Sequence, residues 1–278
     1  MKKVSCRKII NEISKLVEQT AYHVPEEVRR ALLRSYRIES PGPGKRYLGI
    51  ILENLEIAEK ERLPLCQDTG LSVFFIEQGC DVVIETGRYR TIEDIVNEGL
   101  RQGSRNGYLR RSVVSPVERR NTGTNTPGVV HLIPGKKGVL KITMLAKGFG
   151  SENTSKLAML SPTSGKEGIE QFVIETVRQA GSLPCPPVLV GVGMGGSFEK
   201  AAILSKMALC RIGQKSTYRK WEKSLVKKLN SLNIGPAGLG GKTTALDARI
   251  ETFPTHIAGL PVAVNISCWA HRFGIITL

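Results

Sequence analysis

The sequence predicts a mixed α/β (α+β) fold in one compact domain spanning residues 1–278, with helices at the N-terminus and a mixed sheet after them. Three observations predict it. Apolar side chains recur at helical spacing near the N-terminus, as in Val4, Ile9, Ile13, Leu16 and Val17. From Leu71 onward, short apolar runs of strand length are separated by turn residues and interleaved with further helical patterns. No internal repeat or low-complexity linker divides the chain, and a hydrophobic content of 41% supplies a core. Interleaved helices and strands of this kind pack as helices on a sheet.

The elements follow in order. Helices are expected over residues 6–19, 25–37 and 43–61, with Pro25 as an early helical residue whose missing N–H costs nothing there. Leu63-Pro-Leu-Cys-Gln-Asp-Thr-Gly70 breaks the helical pattern, and a strand is expected over 71–77. Residues 91–102 read as a helix with Thr91 as N-cap and Asp94 in the first turn, where a negative charge meets the helix dipole. Asn121-Thr-Gly-Thr-Asn-Thr-Pro-Gly128 is a polar loop, 138–146 a buried strand and Lys147-Gly-Phe-Gly-Ser-Glu-Asn153 a glycine-rich loop. A helix over 166–180 precedes a short apolar strand at 187–192. Gly193-Met-Gly-Gly-Ser197 then turns into a helix over 198–211. A helix at 217–232, a loop at 235–241 and a strand at 260–266 complete the pattern.

The net charge of +15 points to an anionic partner, either nucleic acid or a small polyanion. The basic residues are dispersed, and aromatic residues make up only 5%, too few for a base-stacking surface, so nucleic acid is not expected. The densest basic stretch, residues 211–228, reads as an exposed helical face with Glu222 as its single acid. Charged residues interrupt residues 1–20, which excludes a signal peptide there, and no apolar run reaches membrane-spanning length. A cytoplasmic protein without membrane contact is expected.

Two glycine motifs invite nucleotide readings. Gly191-Val-Gly-Met-Gly-Gly196 fits the dinucleotide pattern, but no acid stands about 20 residues on to hold a ribose. A tight strand-to-helix turn explains it, whose N–H groups could hold a carboxylate. Gly235-Pro-Ala-Gly-Leu-Gly-Gly-Lys-Thr243 imitates a phosphate loop with the wrong spacing, although Lys242 could meet a substrate anion.

Six cysteines, Cys6, Cys66, Cys80, Cys185, Cys210 and Cys268, occur without a CxxC pair. Cys66, Cys185 and Cys268 each stand at a junction between a loop and a regular element, where ligands converge, although each taken singly is more often a buried small hydrophobe than a ligand. Six ordered segments then carry a resemblance over nearly the whole chain. They are Leu65-Cys-Gln-Asp-Thr-Gly70, Asn121-Thr-Gly-Thr-Asn125, Ala146-Lys-Gly-Phe-Gly-Ser151, Cys185-Pro-Pro187, Gly238-Leu-Gly-Gly-Lys242 and Ser267-Cys268. Through them the chain resembles the class I fumarases and the alpha subunits of L-tartrate dehydratase.

The resemblance implies a hydro-lyase with a [4Fe–4S] cluster held by Cys66, Cys185 and Cys268, leaving one iron without a protein ligand. Cys6, Cys80 and Cys210 match no family segment and read as structural. A dicarboxylate substrate would meet Gln67, Arg110 (with Arg111 as its near rival) and the backbone at Gly150. Asp68 and His256 correspond to the family's acid–base pair; a carboxylate beside an imidazole moves protons at neutral pH. Their alternative readings are a turn cap for Asp68 and a core histidine for His256, and His271 is a candidate neighbour of the cluster. Fused relatives carry a second catalytic domain that this sequence lacks. A separate beta subunit and a dimer of alpha–beta pairs are therefore expected. Reversible hydration of fumarate to malate, a tricarboxylic acid cycle step, leads. Tartrate dehydration to oxaloacetate is the alternative, and a non-catalytic iron–sulfur protein that binds nucleic acid is the distant one.

Overall fold

A computed structural model describes all residues, Met1–Leu278. The fold is mixed α/β, and its internal contacts gather into two compact units. Unit 1 comprises Met1–Pro25, Asn54–Gly148 and Arg272–Leu278; unit 2 comprises Glu26–Glu53 and Phe149–His271.

Unit 1 begins with β1 (Lys2–Ser5) and α1 (Cys6–Tyr22). The Ser5 hydroxyl caps α1 by accepting from Lys8 N at 3.3 Å. Two further helices, α2 (Glu26–Ile38) and α3 (Pro43–Glu61), follow in the chain, and of these only the last turns of α3 belong to unit 1. Next come β2 (Leu71–Gly79), β3 (Val82–Glu85), α4 (Ile92–Asn106), β4 (Val129–Gly135) and β5 (Leu140–Lys147). Thr91 and Asp94 close a capping box at the start of α4, as the sequence predicts. With β10 (Arg272–Thr277) these strands form a sheet in the order β10-β5-β2-β4, and β1 pairs in parallel with β3. The core lies where α1 and α4 meet this sheet, around Ile9, Ile13, Leu16, Phe74, Ile76, Ile95 and Ile142.

Unit 2 continues with α5 (Phe149–Glu152), β6 (Lys156–Leu160), α6 (Gly165–Ala180), β7 (Val188–Gly195), α7 (Phe198–Leu209), α8 (Arg219–Asn230), β8 (Ala245–Phe253) and β9 (Leu260–Ser267). Its sheet runs β6-β9-β7-β8, with β7 parallel to β8 and antiparallel to β9. Val173 and Val177 of α6 and Leu225 and Leu229 of α8 pack on β7, β8 and β9.

Two expectations change here. The strand read as ending at Val192 continues to Gly195, so Gly191 and Gly193 lie inside β7. A Cβ on Gly191 would stand 2.1 Å from Ser205 O, and one on Gly193 2.1 Å from Ala201 O. These glycines let α7 lie directly on β7. The motif offers no anion cradle, since Gly191 and Gly193 stand in the β7 ladder and Gly196 N donates to Pro254 O at 3.2 Å. The basic stretch is likewise not a plain exposed face. Glu222 is fully buried and accepts from Ser216 Oγ at 2.8 Å, Ile250 N at 3.2 Å and Arg249 Nη1 at 3.3 Å. Arg219 bonds Asp247 at 2.9 Å, while Arg211 pairs with Glu251 and Lys228 with Glu170. No helix is long and apolar enough to cross a membrane.

Candidate active site

In unit 1, the loop carrying Cys66, Gln67 and Asp68 enters β2 through Gly70. Gly70 has φ +74°, and a Cβ there would stand 2.8 Å from the Lys147 backbone, so only glycine fits. Asp68 folds the loop on itself by accepting from Gly70 N through Oδ1 at 2.9 Å, the turn-capping geometry weighed above. Its Oδ2 lies 3.2 Å from where a Cβ on Gly148 would stand. The buried Arg272 donates to Asp68 O at 2.6 Å, and Asn54 Nδ2 holds Leu65 O at 3.1 Å. The loop is therefore tied by its backbone, leaving Cys66 half-buried and Gln67 exposed.

The same loop meets Arg110 through Thr69. The Arg110 carbonyl accepts from Thr69 Oγ1 at 2.9 Å and from Asn125 Nδ2 at 3.0 Å, while Asn125 Oδ1 accepts from Ser112 N at 2.7 Å. Thr69, Ser112 and Asn125 thus form one hydrogen-bonded patch that fixes the Arg110 backbone and leaves its side chain exposed. Arg111 is separated from it: its side chain lines a neighbouring cavity that Arg110 does not line.

In unit 2, Leu189 pairs with Ser267 and Val188 with Ala245. The start of β7, the end of β9 and the start of β8 therefore share one end of the sheet. Cys185 stands three residues before β7 and Cys268 one residue after β9, so both thiols belong to this end. Cys185 is exposed at φ +53°, and Cys268 is half-buried. Ala237 N donates to Pro186 O at 2.8 Å, which ties the Gly235–Gly241 loop to the Cys185 loop. Gly150 lies nearby: a Cβ there would meet only Leu183 O, at 3.9 Å. Neither crowding nor a positive φ in this chain demands glycine at 150, which leaves its backbone approachable. Asn265 bonds Glu152 at 3.1 Å, and Ile266 N donates to Ser155 Oγ at 3.1 Å, anchoring the α5 segment beside Cys268.

His256 sits at the opposite end of this sheet, in the exposed turn between β8 and β9. Its Nδ1 accepts from Ala258 N at 3.2 Å, and Thr255 Oγ1 donates to Gly196 O at 2.8 Å. The length of β7, about 23 Å at about 3.3 Å per residue, separates that turn from Cys185 and Cys268. His256 is thus not a core histidine. His271 is: it is 1% exposed, and Nε2 donates to Leu209 O at 3.0 Å while Nδ1 accepts from Ser267 Oγ at 2.9 Å. Both ring nitrogens are taken, so His271 acts as a strut behind Ser267-Cys268. His131 stacks on Phe75. Lys242, read as a possible anion contact, donates from Nζ to Ile38 O at 3.0 Å and from its backbone N to the buried Glu39 carboxylate at 3.0 Å.

Sequence reading missed Arg272, Glu39, Thr69 and Asn125 as organisers of these loops. Thr69 and Asn125 stand inside the recognised segments, and Arg272 follows Cys268 by four residues; Glu39 carried no local signal. No three His, Cys, Asp or Glu side chains converge as they would on a single metal ion. A four-iron cluster has a different requirement, since its thiolates bind separate corners of a cube. Two thiols on loops at one sheet end, neither fully buried, suit that donor set.

Comparison with known proteins completes the picture. The sequence description of the fumarate hydratase (Fumerase) family matches residues 10–277. The class defined is a family of lyases. The chain belongs to the fumarate hydratase family. Across 277 residues it is 40% identical to a Methanocaldococcus jannaschii protein named "Putative L(+)-tartrate dehydratase subunit alpha", covering 96% of each chain. Across 281 residues it is 30% identical to the L(+)-tartrate dehydratase subunit alpha of Escherichia coli K12, covering 98% of this chain and 91% of that one. The corresponding subunit of Shigella boydii is also 30% identical over the same extent.

Proposed function

We propose that the chain is the alpha subunit of a hydro-lyase that removes water from a hydroxylated dicarboxylate, with L-tartrate, yielding oxaloacetate, as substrate. Resemblance alone put fumarate first. Full-length similarity to alpha subunits of L(+)-tartrate dehydratase supports the reverse order. The observation that carries the catalytic reading is the meeting of Cys185, Cys268 and Gly150 at one end of the unit 2 sheet.

Cys66, Cys185 and Cys268 are the proposed thiolate ligands of a [4Fe–4S] cluster. Bound by three thiolates, such a cluster supplies an open iron that acts as a Lewis acid on a hydroxyl and a carboxylate. The remaining work falls to the protein. Arg110, its backbone fixed and its guanidinium exposed, clamps a substrate carboxylate. Gln67 offers an exposed amide on the loop whose Thr69 bonds the Arg110 carbonyl, and the Gly150 backbone lets substrate approach closely. Asp68, set by Gly70 N and Arg272, is the proposed proton-transfer carboxylate on this chain. His256 is proposed as its partner in proton transfer. Because it lies at the far end of the sheet from Cys185 and Cys268, it reaches such a site only on a neighbouring copy. That supports a dimer of alpha–beta pairs, with the beta subunit supplying further substrate contacts; the proposed location is the cytoplasm.

The test is an assay of the alpha–beta complex, assembled without oxygen, on L-tartrate and on malate. A kcat/KM for tartrate at least about tenfold above that for malate is expected, since a site built to bind a second hydroxyl loses those hydrogen bonds with malate. The opposite order returns the fumarase reading. No turnover of either substrate by a cluster-loaded complex contradicts the hydro-lyase reading.

A further inference from the structure

Unit 1 contains a cavity of about 640 Å³ that the proposed chemistry does not use. Its wall includes Arg101, Ser104, Arg105, Arg111 and Asn125, and it contains none of Cys66, Gln67, Asp68 or Arg110. We propose that this cavity binds a small organic anion through a carboxylate or phosphate group, at a site separate from the active-site loop. The inference goes beyond the proposed hydro-lyase function and does not depend on it.

Three guanidinium groups border one cavity. Arg101 is neutralised by Glu98, with bonds at 2.7 and 3.0 Å. Arg105 and Arg111 form no ion pair and are both exposed. Two arginines without an ion pair on the wall of one cavity suit an oxyanion, which guanidinium groups take through paired N–H bonds.

Ser104 is only 6% exposed, lines the cavity, and its Oγ has no hydrogen-bond partner. Buried hydroxyls are almost always satisfied; this one is closed off from water in the unliganded chain, so a ligand atom completes its bond by a small shift of the wall.

The wall is also built to hold its shape and sign. The end of α4 would present negative carbonyls, but those of Gly103, Ser104 and Arg105 accept from the N–H groups of Gly107, Leu109 and Tyr108. On the facing wall, Asn125 spends both ends of its amide on Ser112 N and Arg110 O. The volume exceeds what inorganic phosphate needs and falls in the range of small-molecule sites.

The experiment is calorimetric titration of the full chain at low ionic strength with inorganic phosphate and with succinate, using chloride as reference. Arg105-dependent binding of phosphate or succinate at least about tenfold tighter than chloride is expected. The tighter of the two identifies a phosphate or a carboxylate ligand. Arg105→Gln should weaken that binding about tenfold or more, by loss of a charge-assisted pair. Ser104→Ala should weaken it by a smaller factor without lowering the melting temperature, because it removes a hydroxyl that is unsatisfied in the unliganded chain. Arg110→Gln should leave it unchanged. Binding no tighter than chloride overturns the proposal. So does binding that survives Arg105→Gln and Ser104→Ala, or that is lost only in Arg110→Gln.

Discussion

The two ends of the unit 2 sheet are built to different standards of rigidity. Where β7 begins and β9 ends, loops are tied by crossing bonds: Ala237 N to Pro186 O, Thr244 N and Ala245 N to Asn230 Oδ1, and Lys242 N to Glu39. At the other end, residues 254–259 are mostly exposed, and His256 is held by its own turn. A pinned end can keep ligand atoms at fixed spacing, which a rigid prosthetic group requires. An exposed turn suits a side chain that meets its target on another molecule. Residues drawn from one family pattern therefore need not serve a single site on a single copy.

The sharpest way to break this comparison is to change one residue at each end. Cys185→Ser should strip iron from the chain and abolish lyase activity. His256→Asn should leave iron content unchanged while lowering kcat by about 10²-fold or more, the scale of a lost proton-transfer group. Mixed oligomers of these two inactive variants should regain activity if His256 acts on a neighbouring copy. Asp68→Asn should lower kcat by about 10²–10⁴-fold with iron retained, read by kinetics beside iron analysis.

Smaller effects probe the pinning itself. Glu39→Gln weakens a buried carboxylate's hold on Lys242 N and Ser40 N. It should cost about 1–3 kcal/mol in denaturant unfolding and hasten iron loss. Smaller still is a pH effect at Glu170. Burial pushes its pKa up, but the bonds from Lys228 and Trp221 Nε1 outweigh burial and hold it below its ordinary 4.5. A depressed carboxylate stabilises the fold above its unfolded value and loses that contribution as pH falls through the folded one. Glu170→Gln should therefore lower stability at pH 7 by about 1–2 kcal/mol and flatten the acid limb of the stability curve below pH 4.5.

Legibility in the sequence followed position in the sheets. The strands predicted in advance, β2, β5, β7 and β9, are the interior ones, and their continuous apolar runs reflect burial on both faces. The strands missed, β1, β3, β4, β6, β8 and β10, are all at sheet edges. Pro134 in β4 and the alternating Asp247, Arg249 and Glu251 of β8 hide their strand character, since an edge strand tolerates proline and charge. The division into two units left no composition signal because each unit is assembled from separated stretches. At the site, chain-local patterns such as Leu65-Cys-Gln-Asp-Thr-Gly70 were readable. The groups that position them were not, because Arg272 with Asp68 and Glu39 with Lys242 pair across more than 200 residues.

The most direct test is to purify the chain without oxygen and count iron and acid-labile sulfide in the native protein and in Cys66→Ser, Cys185→Ser and Cys268→Ser. About four of each per native chain, falling away in all three variants, is the expected result for a cluster held by these thiolates. A folded chain that takes up no iron or sulfide even after anaerobic reconstitution, or one whose content is indifferent to the three substitutions, would contradict the assignment.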